Sequence, residues 1–239
     1  MAPTASAIGN LNGPRGDDQY PTAIRPGGSG RAGFLSPVKA VRMTSRSGGG
    51  FTWQTLRPHP QSFCAAVTQF KGGVVRPRVG GLLFAYIIRG NVVDLAMAPL
   101  ADSARTDELW RDTCFEAFIR GPSSTEYYEL NFAPSTQWAA YKFSSYRSEM
   151  RVATEIDAPR ITVEARRDHY MLQASLVQLD EALLPASGAG AANWHVGLSA
   201  VIKETSGRRS YWALAHPSGK PDFHHVDCFA LEVSQGWRP

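Results

Sequence analysis

The sequence has few cysteines and no long hydrophobic run, and each absence excludes a class of protein. Its 239 residues contain three cysteines and no C-x-x-C pair, which excludes a disulfide-rich scaffold and a zinc ribbon. The longest apolar run, residues 82–88, has seven residues, whereas a transmembrane helix needs about 20. The first 30 residues contain no apolar stretch typical of a secretion signal. We therefore expect a cytoplasmic protein without a membrane partner.

Most of the chain also has no excess of positive or negative charge. Residues 1–50 hold six of the 25 Lys and Arg and two of the 21 Asp and Glu, so residues 51–239 hold 19 of each sign. A region without net charge does not favour a nucleic-acid partner. The basic excess lies in a segment with ten Gly and five Pro, which cannot form a packed core. We predict a disordered tail over residues 1–52 and one folded domain over residues 53–239.

The familiar catalytic signatures are absent. The chain contains no G-x-S-x-G nucleophile elbow, no phosphate-binding P-loop and no H-E-x-x-H zinc motif. These absences favour a protein that is not an enzyme, without deciding the question.

Hydrophobic residues alternate with a period of two through most of the folded part, and turn residues recur every 8 to 12 positions. This pattern predicts an all-β protein, an antiparallel β-sandwich. The expected strands are residues 63–70, 82–89, 92–97, 114–120, 126–132, 137–143, 161–167, 170–177, 194–204, 209–216 and 228–233. Turns at 133–136, 168–169 and 206–207 predict three hairpins. The one expected helix is short, residues 180–184, and a flexible loop is expected at 188–192.

Alternation assigns two faces to the strand at 126–132. Tyr128, Leu130 and Phe132 are expected to face the core, which leaves Tyr127, Glu129 and Asn131 on the opposite face. That polar row is either a solvated outer surface or the floor of a ligand site.

The segment from 215 to 229 concentrates titratable side chains. They are His216, Lys220, Asp222, His224, His225 and Asp227. Neighbouring residues of an extended chain point to opposite sides, so His224 and His225 cannot both bind one ion. We therefore expect no metal, but an ordered loop fixed by Pro217 and Pro221.

Four of the six tryptophans lie at or near ends of the predicted strands: Trp110, Trp138, Trp194 and Trp212. Each either fills the core or forms an aromatic platform on which a sugar ring stacks.

Three runs of the chain, residues 109–119, 127–141 and 211–231, resemble a bacterial DOMON-like family related to carbohydrate-binding module family 9. The resemblance covers about residues 55–235. It implies a β-sandwich that binds a ligand without converting it. In the sugar-binding modules of the wider group, a Trp precedes a strand Glu by six residues, as Trp110 precedes Glu116 here.

The resemblance also implies a second aromatic, for which Trp212 is the nearest match. One departure is that Thr113 stands where those modules have Asp, with Asp112 one position earlier. Six extended residues span about 20 Å, so Trp110 and Glu116 reach one sugar only if the chain between them bends. The candidate ligand-binding residues are Trp110, Glu116, Glu129, Asn131, Trp138, Trp212 and His224.

The favoured function is non-catalytic binding of a small polar molecule such as a saccharide, and three alternatives stay open. Glu116 and Glu129 could serve as the acid and base of a hydrolase if they lie within about 5–10 Å across a cleft. Related domains bind haem through Met and His, but no motif pairs a Met with a His here, so no cofactor is predicted. The basic tail or a sheet face could also dock on another protein.

Overall fold

Nearly all of the regular structure is β-strand, and every pairing between strands is antiparallel. A computed structural model describes residues 51, 53–77, 81–177 and 193–233. The expected tail falls almost entirely outside these residues, as do the helix expected at 180–184 and the loop expected at 188–192. No helix among the described residues is long and apolar enough to span a membrane.

The described part of the chain forms thirteen strands. They are β1 (Gln54–Thr55), β2 (Arg57–Pro58), β3 (Val67–Val75), β4 (Leu82–Gly90), β5 (Cys114–Arg120), β6 (Tyr127–Phe132), β7 (Trp138–Phe143), β8 (Arg151–Val152), β9 (Arg160–Ala165), β10 (His169–Leu176), β11 (Trp194–Lys203), β12 (Arg209–Ala213) and β13 (Leu231–Val233). Three short 3₁₀ helices accompany them, at Val92–Asp94, Leu109–Arg111 and Val226–Cys228.

The strands form two sheets. The smaller sheet has the order β1-β3-β4-β10-β9, and the larger has the order β2-β12-β11-β5-β6-β7-β8. Strand β13 pairs with the first residues of β11, whereas β12 pairs with its last residues. The predicted antiparallel β-sandwich is therefore confirmed.

The main core lies between the sheets and is built from the residues that alternation assigned to it. Phe115 of β5 packs between Phe70 and Tyr86 of the smaller sheet, with ring centroids 6.1 and 5.2 Å away. Phe132 of β6 meets Phe84 of β4 at 5.8 Å. Aromatic pairs at such distances bury large apolar areas and interlock the two sheets.

A second apolar layer covers the other face of the larger sheet. Phe223 and Phe229, from the segment that follows β12, pack over Phe118, Tyr127 and related side chains of β5 to β7. The larger sheet is thus buried on both sides. The polar row of β6 is consequently not a solvated surface.

The predicted hairpins are confirmed, and one predicted strand is wrong. Turns after β6, β9 and β11 join the expected strand pairs. Residues 92–97 form no strand: Val92–Asp94 is a 3₁₀ turn, and only Leu95 makes a bridge, to Glu204. The Val92 amide bonds back to Arg167 across the end of the neighbouring hairpin, so this apolar stretch closes the edge of the core.

Candidate ligand-binding site

One row of side chains crosses the outer face of the larger sheet. Strand register places it as Ala213, Ser199, Glu116, Asn131 and Ala139. Glu116 is 3% exposed and Asn131 is fully buried. The small side chains of Ala213 and Ala139 flank the polar groups of this row.

The next row on the same face carries the second carboxylate. Glu129 lies diagonally across from Glu116, since Asn131 is the register partner of Glu116. The Asn131 side-chain amide donates a hydrogen bond of 2.8 Å to Glu129 Oε1, and His224 Nε2 lies 3.6 Å from Glu129 Oε2. The structure therefore brings four of the predicted site residues to one buried patch: Glu116, Glu129, Asn131 and His224.

Burial controls the charge of the two carboxylates. Loss of solvent raises the pKa of Glu129 to about 7, although the Asn131 hydrogen bond and the Arg147 guanidinium act in the opposite direction. Burial raises the pKa of Glu116 well above its usual range, and the adjacent charge of Glu129 adds to the rise. The Glu116 carboxyl therefore takes up a proton more readily than a solvent-exposed glutamate, and two negative charges on the pair are disfavoured.

Side chains that are joined to one another by hydrogen bonds lie next to Glu129. The Tyr127 hydroxyl lies 2.8 Å from His224 Nδ1 and accepts a hydrogen bond from the Arg147 backbone N–H. Arg147 is also ion-paired with Asp222 at 2.8 Å. Burial lowers the pKa of His224 to about 3, so its imidazole is neutral and one ring nitrogen accepts.

An open cleft of about 390 Å³ adjoins these side chains. Its walls include Arg120, Thr125, Tyr127, Tyr146, His224 and Phe229. The cleft and the carboxylates share His224, which faces Tyr127 through Nδ1 and Glu129 through Nε2. A small molecule in the cleft would therefore lie next to the buried polar patch.

Trp110 reaches the same face because the chain before β5 bends. Glu108 adopts a left-handed conformation (φ 60°), and a 3₁₀ turn at Leu109–Arg111 follows. Trp110 then packs edge-on against Tyr141, with ring centroids 5.8 Å apart. Tyr141 is the register partner of Glu129. The bend that the Trp110–Glu116 pairing requires is present.

Trp138 and Trp212 were predicted as ligand platforms, and their positions contradict this. Both side chains point into the core between the sheets and are only 6% and 5% exposed. The Trp212 indole N–H donates to Ser210 Oγ, and the Arg105 guanidinium lies 4.1 Å from the Trp138 ring. Alternation explains the placement, because Trp138 and Trp212 follow the inward parity of β7 and β12.

Sequence reasoning missed Ser199, Tyr141 and Arg147. Ser199 is the one hydroxyl residue in β11 and lies within the apolar run from Val196 to Ile202, a signal that could have drawn attention to it. Its Oγ is buried and has no hydrogen-bond partner. Arg147 stands in an irregular segment between β7 and β8, where no periodicity assigns a side-chain direction.

The described residues offer no cluster of three His, Cys, Asp or Glu side chains that could hold a metal ion.

Neither a family model nor a curated protein matches this chain. The solved structures that are similar to it include the two that follow. One is a protein from Bacteroides uniformis ATCC 8492 provisionally assigned as carbohydrate-binding, with 10% identity, a TM-score of 0.49, and coverage of 74% of this chain and 84% of the other. The second is a family 9 carbohydrate-binding module from Caldicellulosiruptor kristjanssonii in complex with glucose, with 12% identity, a TM-score of 0.35, and coverage of 69% and 76%. The DOMON-like resemblance stays a prediction.

Proposed function

We propose that this protein is a non-catalytic binding domain for a saccharide or a similar small polyol. The ligand would lie over the outer face of the larger sheet, at Glu116 and Ser199. The observation that carries this proposal is that these two side chains are buried side by side, and that Ser199 Oγ has no hydrogen-bond partner among the described residues.

Buried polar groups without partners are costly. An unmade hydrogen bond at a buried position costs about 1–3 kcal/mol, and native proteins contain few such groups. Directly opposed side chains in a sheet have Cβ atoms about 5 Å apart. One ligand hydroxyl between Glu116 and Ser199 could bond to both and remove the cost.

The surroundings match the two sides of a sugar ring. Sugars present hydroxyls at their edge and C–H groups on their faces. Trp110 and Tyr141 supply aromatic surface on the side of the patch toward β7, and aromatic rings with a few convergent polar groups are typical of small-molecule sites.

The hydrolase alternative is a second candidate, favoured by the pKa of about 7 for Glu129 beside Glu116, whose pKa burial also raises. Its weakness is geometric. The carboxylates of a glycosidase flank the scissile bond, whereas Glu116 and Glu129 rise from neighbouring strands on one face. Both would contact the same side of a bound ring.

Calorimetric titration against a panel of neutral and acidic mono- and disaccharides tests the proposal. We expect the wild type to bind at least one sugar, and Trp110→Ala to weaken that binding on the order of tenfold through lost stacking. Trp53→Ala is the matched control, because Trp53 is 39% exposed and precedes β1 of the smaller sheet. The control should bind normally.

Two outcomes contradict the proposal. Flat titrations for the wild type across the panel remove the saccharide claim. Release of new reducing ends from a disaccharide, lost in Glu129→Gln, replaces the binding role with the hydrolase.

A further inference from the structure

The wall of the open cleft carries a cation whose charge is not neutralised by any described residue. Arg120 ends β5 on its outer face, half-buried, and its guanidinium lies 5.1 Å from the centroid of the Phe229 ring. No ion pair or hydrogen bond joins this guanidinium to another side chain of the described residues. Stacking on Phe229 restricts the guanidinium, so a ligand that binds it loses less side-chain entropy.

The other charged groups around the cleft have partners. Arg147 is paired with Asp222 at 2.8 Å. Asp227 lies 3.4 Å from His225 Nδ1 and is mostly exposed. Glu232 shares a row with Arg120 but is two strands away, beyond His195, and accepts a hydrogen bond from the side chain of Asn193. Arg120 is therefore the cation left for a ligand.

The remaining walls are aromatic and hydroxyl-bearing. Tyr127, Phe229 and the largely exposed Tyr146 supply ring surface. The Tyr146 hydroxyl donates to Asp222 and the Thr125 hydroxyl donates to the Ser144 carbonyl, so each hydroxyl oxygen can still accept a hydrogen bond. A ring that carries both a carboxylate and hydroxyl groups would complement this set.

We propose that Arg120 receives the carboxylate of an acidic sugar, so that the ligand class of this domain is the uronic acids. The inference rests on the proposed function, since the cleft that receives the carboxylate adjoins the Glu116–Glu129 patch through His224. A guanidinium binds a carboxylate through two parallel hydrogen bonds, which gives both affinity and orientation. The cleft volume of about 390 Å³ falls in the usual range for small-molecule sites.

A single negative charge fits better than several. Asp222 accepts a hydrogen bond from the wall residue Tyr146, and Asp227 follows the wall residue Val226 in the chain, so like charges would oppose a polyanion such as a sugar diphosphate. We therefore expect one carboxylate for each bound ring.

The experiment compares glucuronate and galacturonate with glucose, galactose and the methyl esters of both uronates, by calorimetry at two salt concentrations. The proteins are the wild type, Arg120→Gln, Arg120→Lys and the control Arg160→Gln. Arg160 is an exposed strand arginine on β9 of the smaller sheet. We expect uronates to bind more tightly than the neutral sugars and esters, and Arg120→Gln to weaken uronate binding on the order of tenfold or more.

The controls separate this inference from the proposed function. Arg120→Lys should keep part of the uronate preference, Arg160→Gln should keep all of it, and added salt should weaken only uronate binding. Equal affinity for uronates and neutral sugars, or an equal loss for both in Arg120→Gln, overturns the acidic-sugar assignment while the saccharide function stands. A wild type that binds no sugar of either kind overturns both.

Discussion

The two faces of the larger sheet are both buried, yet they are made of different chemistry. The inner face of β5 and β6 presents Phe115, Leu130 and Phe132 to the core between the sheets. The outer face of the same strands presents Glu116, Glu129 and Asn131, beneath the layer that contains Phe223 and Phe229. One strand therefore alternates between a structural side and an ionisable side.

The difference shows that packing alone does not account for the outer face. Burying a carboxyl group costs free energy that an apolar side chain of similar size would not. Alanine, valine and phenylalanine fill neighbouring outer positions at Ala139, Val201 and Phe118. The fold thus accepts apolar residues there, and the cost at Glu116 and Glu129 points to a role other than stability.

The largest expected effect on stability distinguishes Phe115 from its neighbour Glu116. Phe115→Ala should lower the free energy of unfolding by about 3–5 kcal/mol, because it empties a site lined by Phe70, Tyr86 and Tyr170. Glu116→Gln should leave the stability at pH 7 unchanged or raised, since it removes a group whose pKa is raised by burial. Urea denaturation measures the free energy of unfolding of both variants.

Equal losses of stability in the two variants would mean that the outer face is as structural as the inner one. Phe115→Leu, expected to lose about 1 kcal/mol, serves if the alanine variant does not fold.

The next effect concerns pH. The folded-state pKa of Glu129 is about 7, above its ordinary value of 4.5. Between these two values the folded protein binds more protons at this site than the unfolded chain, so stability from Glu129 falls as the pH rises and is constant above pH 7. Glu129→Gln should remove this loss. The free energy of unfolding of Glu129→Gln, minus that of wild type, should increase by about 3 kcal/mol from pH 4.5 to pH 8.

Neutral His224 gives stability the opposite pH dependence. The effect of Glu129 must therefore be measured as a difference from wild type. Its pKa of about 3 lies below the ordinary 6.5, so its contribution to stability rises with pH between those values. The wild-type profile combines both groups, and only the difference between Glu129→Gln and wild type isolates the carboxylate. A difference that does not change with pH would show that Glu129 is ionised normally in the folded protein.

The sequence was sufficient for the sandwich, most strands and the polar row of β6, because a period of two records which side of a strand is apolar. It could not show that the polar side is also covered. The covering residues, such as Phe223 and His224, come from an irregular segment more than 80 residues away along the chain. Long-range packing of this kind leaves no local pattern.

The same limit explains the tryptophans. Spacing alone could not decide whether Trp110, Trp138 and Trp212 lie inside the protein or at a site. Trp138 and Trp212 follow the parity of core residues within their strands, and a stricter use of alternation would have placed them there. Trp110 lies outside any strand, so only the left-handed turn at Glu108 determines its direction.

A smaller effect tests whether a polar group of the outer face that serves binding lowers the stability of the unliganded protein. Ser199→Ala should raise the free energy of unfolding of the unliganded protein by about 1 kcal/mol, because a buried hydroxyl without a partner is removed. The same change should weaken binding of a sugar whose hydroxyl bonds to Ser199. Denaturation and calorimetry on one sample measure both. Ser210→Ala is the control, since Ser210 Oγ accepts from Trp212, and its loss should lower stability. A destabilised Ser199→Ala with unchanged affinity would place Ser199 among purely structural residues.

The smallest effect comes from a carboxylate at the rim of the same sheet and has the opposite pH dependence. Two hydrogen bonds from Arg151 hold the pKa of Glu155 down, at about 2. The folded protein therefore binds fewer protons at Glu155 than the unfolded chain between pH 2 and 4.5, and the stabilisation present above pH 4.5 is lost as the pH falls through that window. Solvent screens this exposed pair, so Glu155→Gln should cost less than about 1 kcal/mol at pH 7 and nothing near pH 2.

Thermal unfolding at pH 3, 5 and 7 in low and high salt measures this loss of stability. A pH dependence of the same sign as that of Glu129 would mean that burial does not distinguish the two carboxylates, and the contrast between the covered face and the rim would then fail.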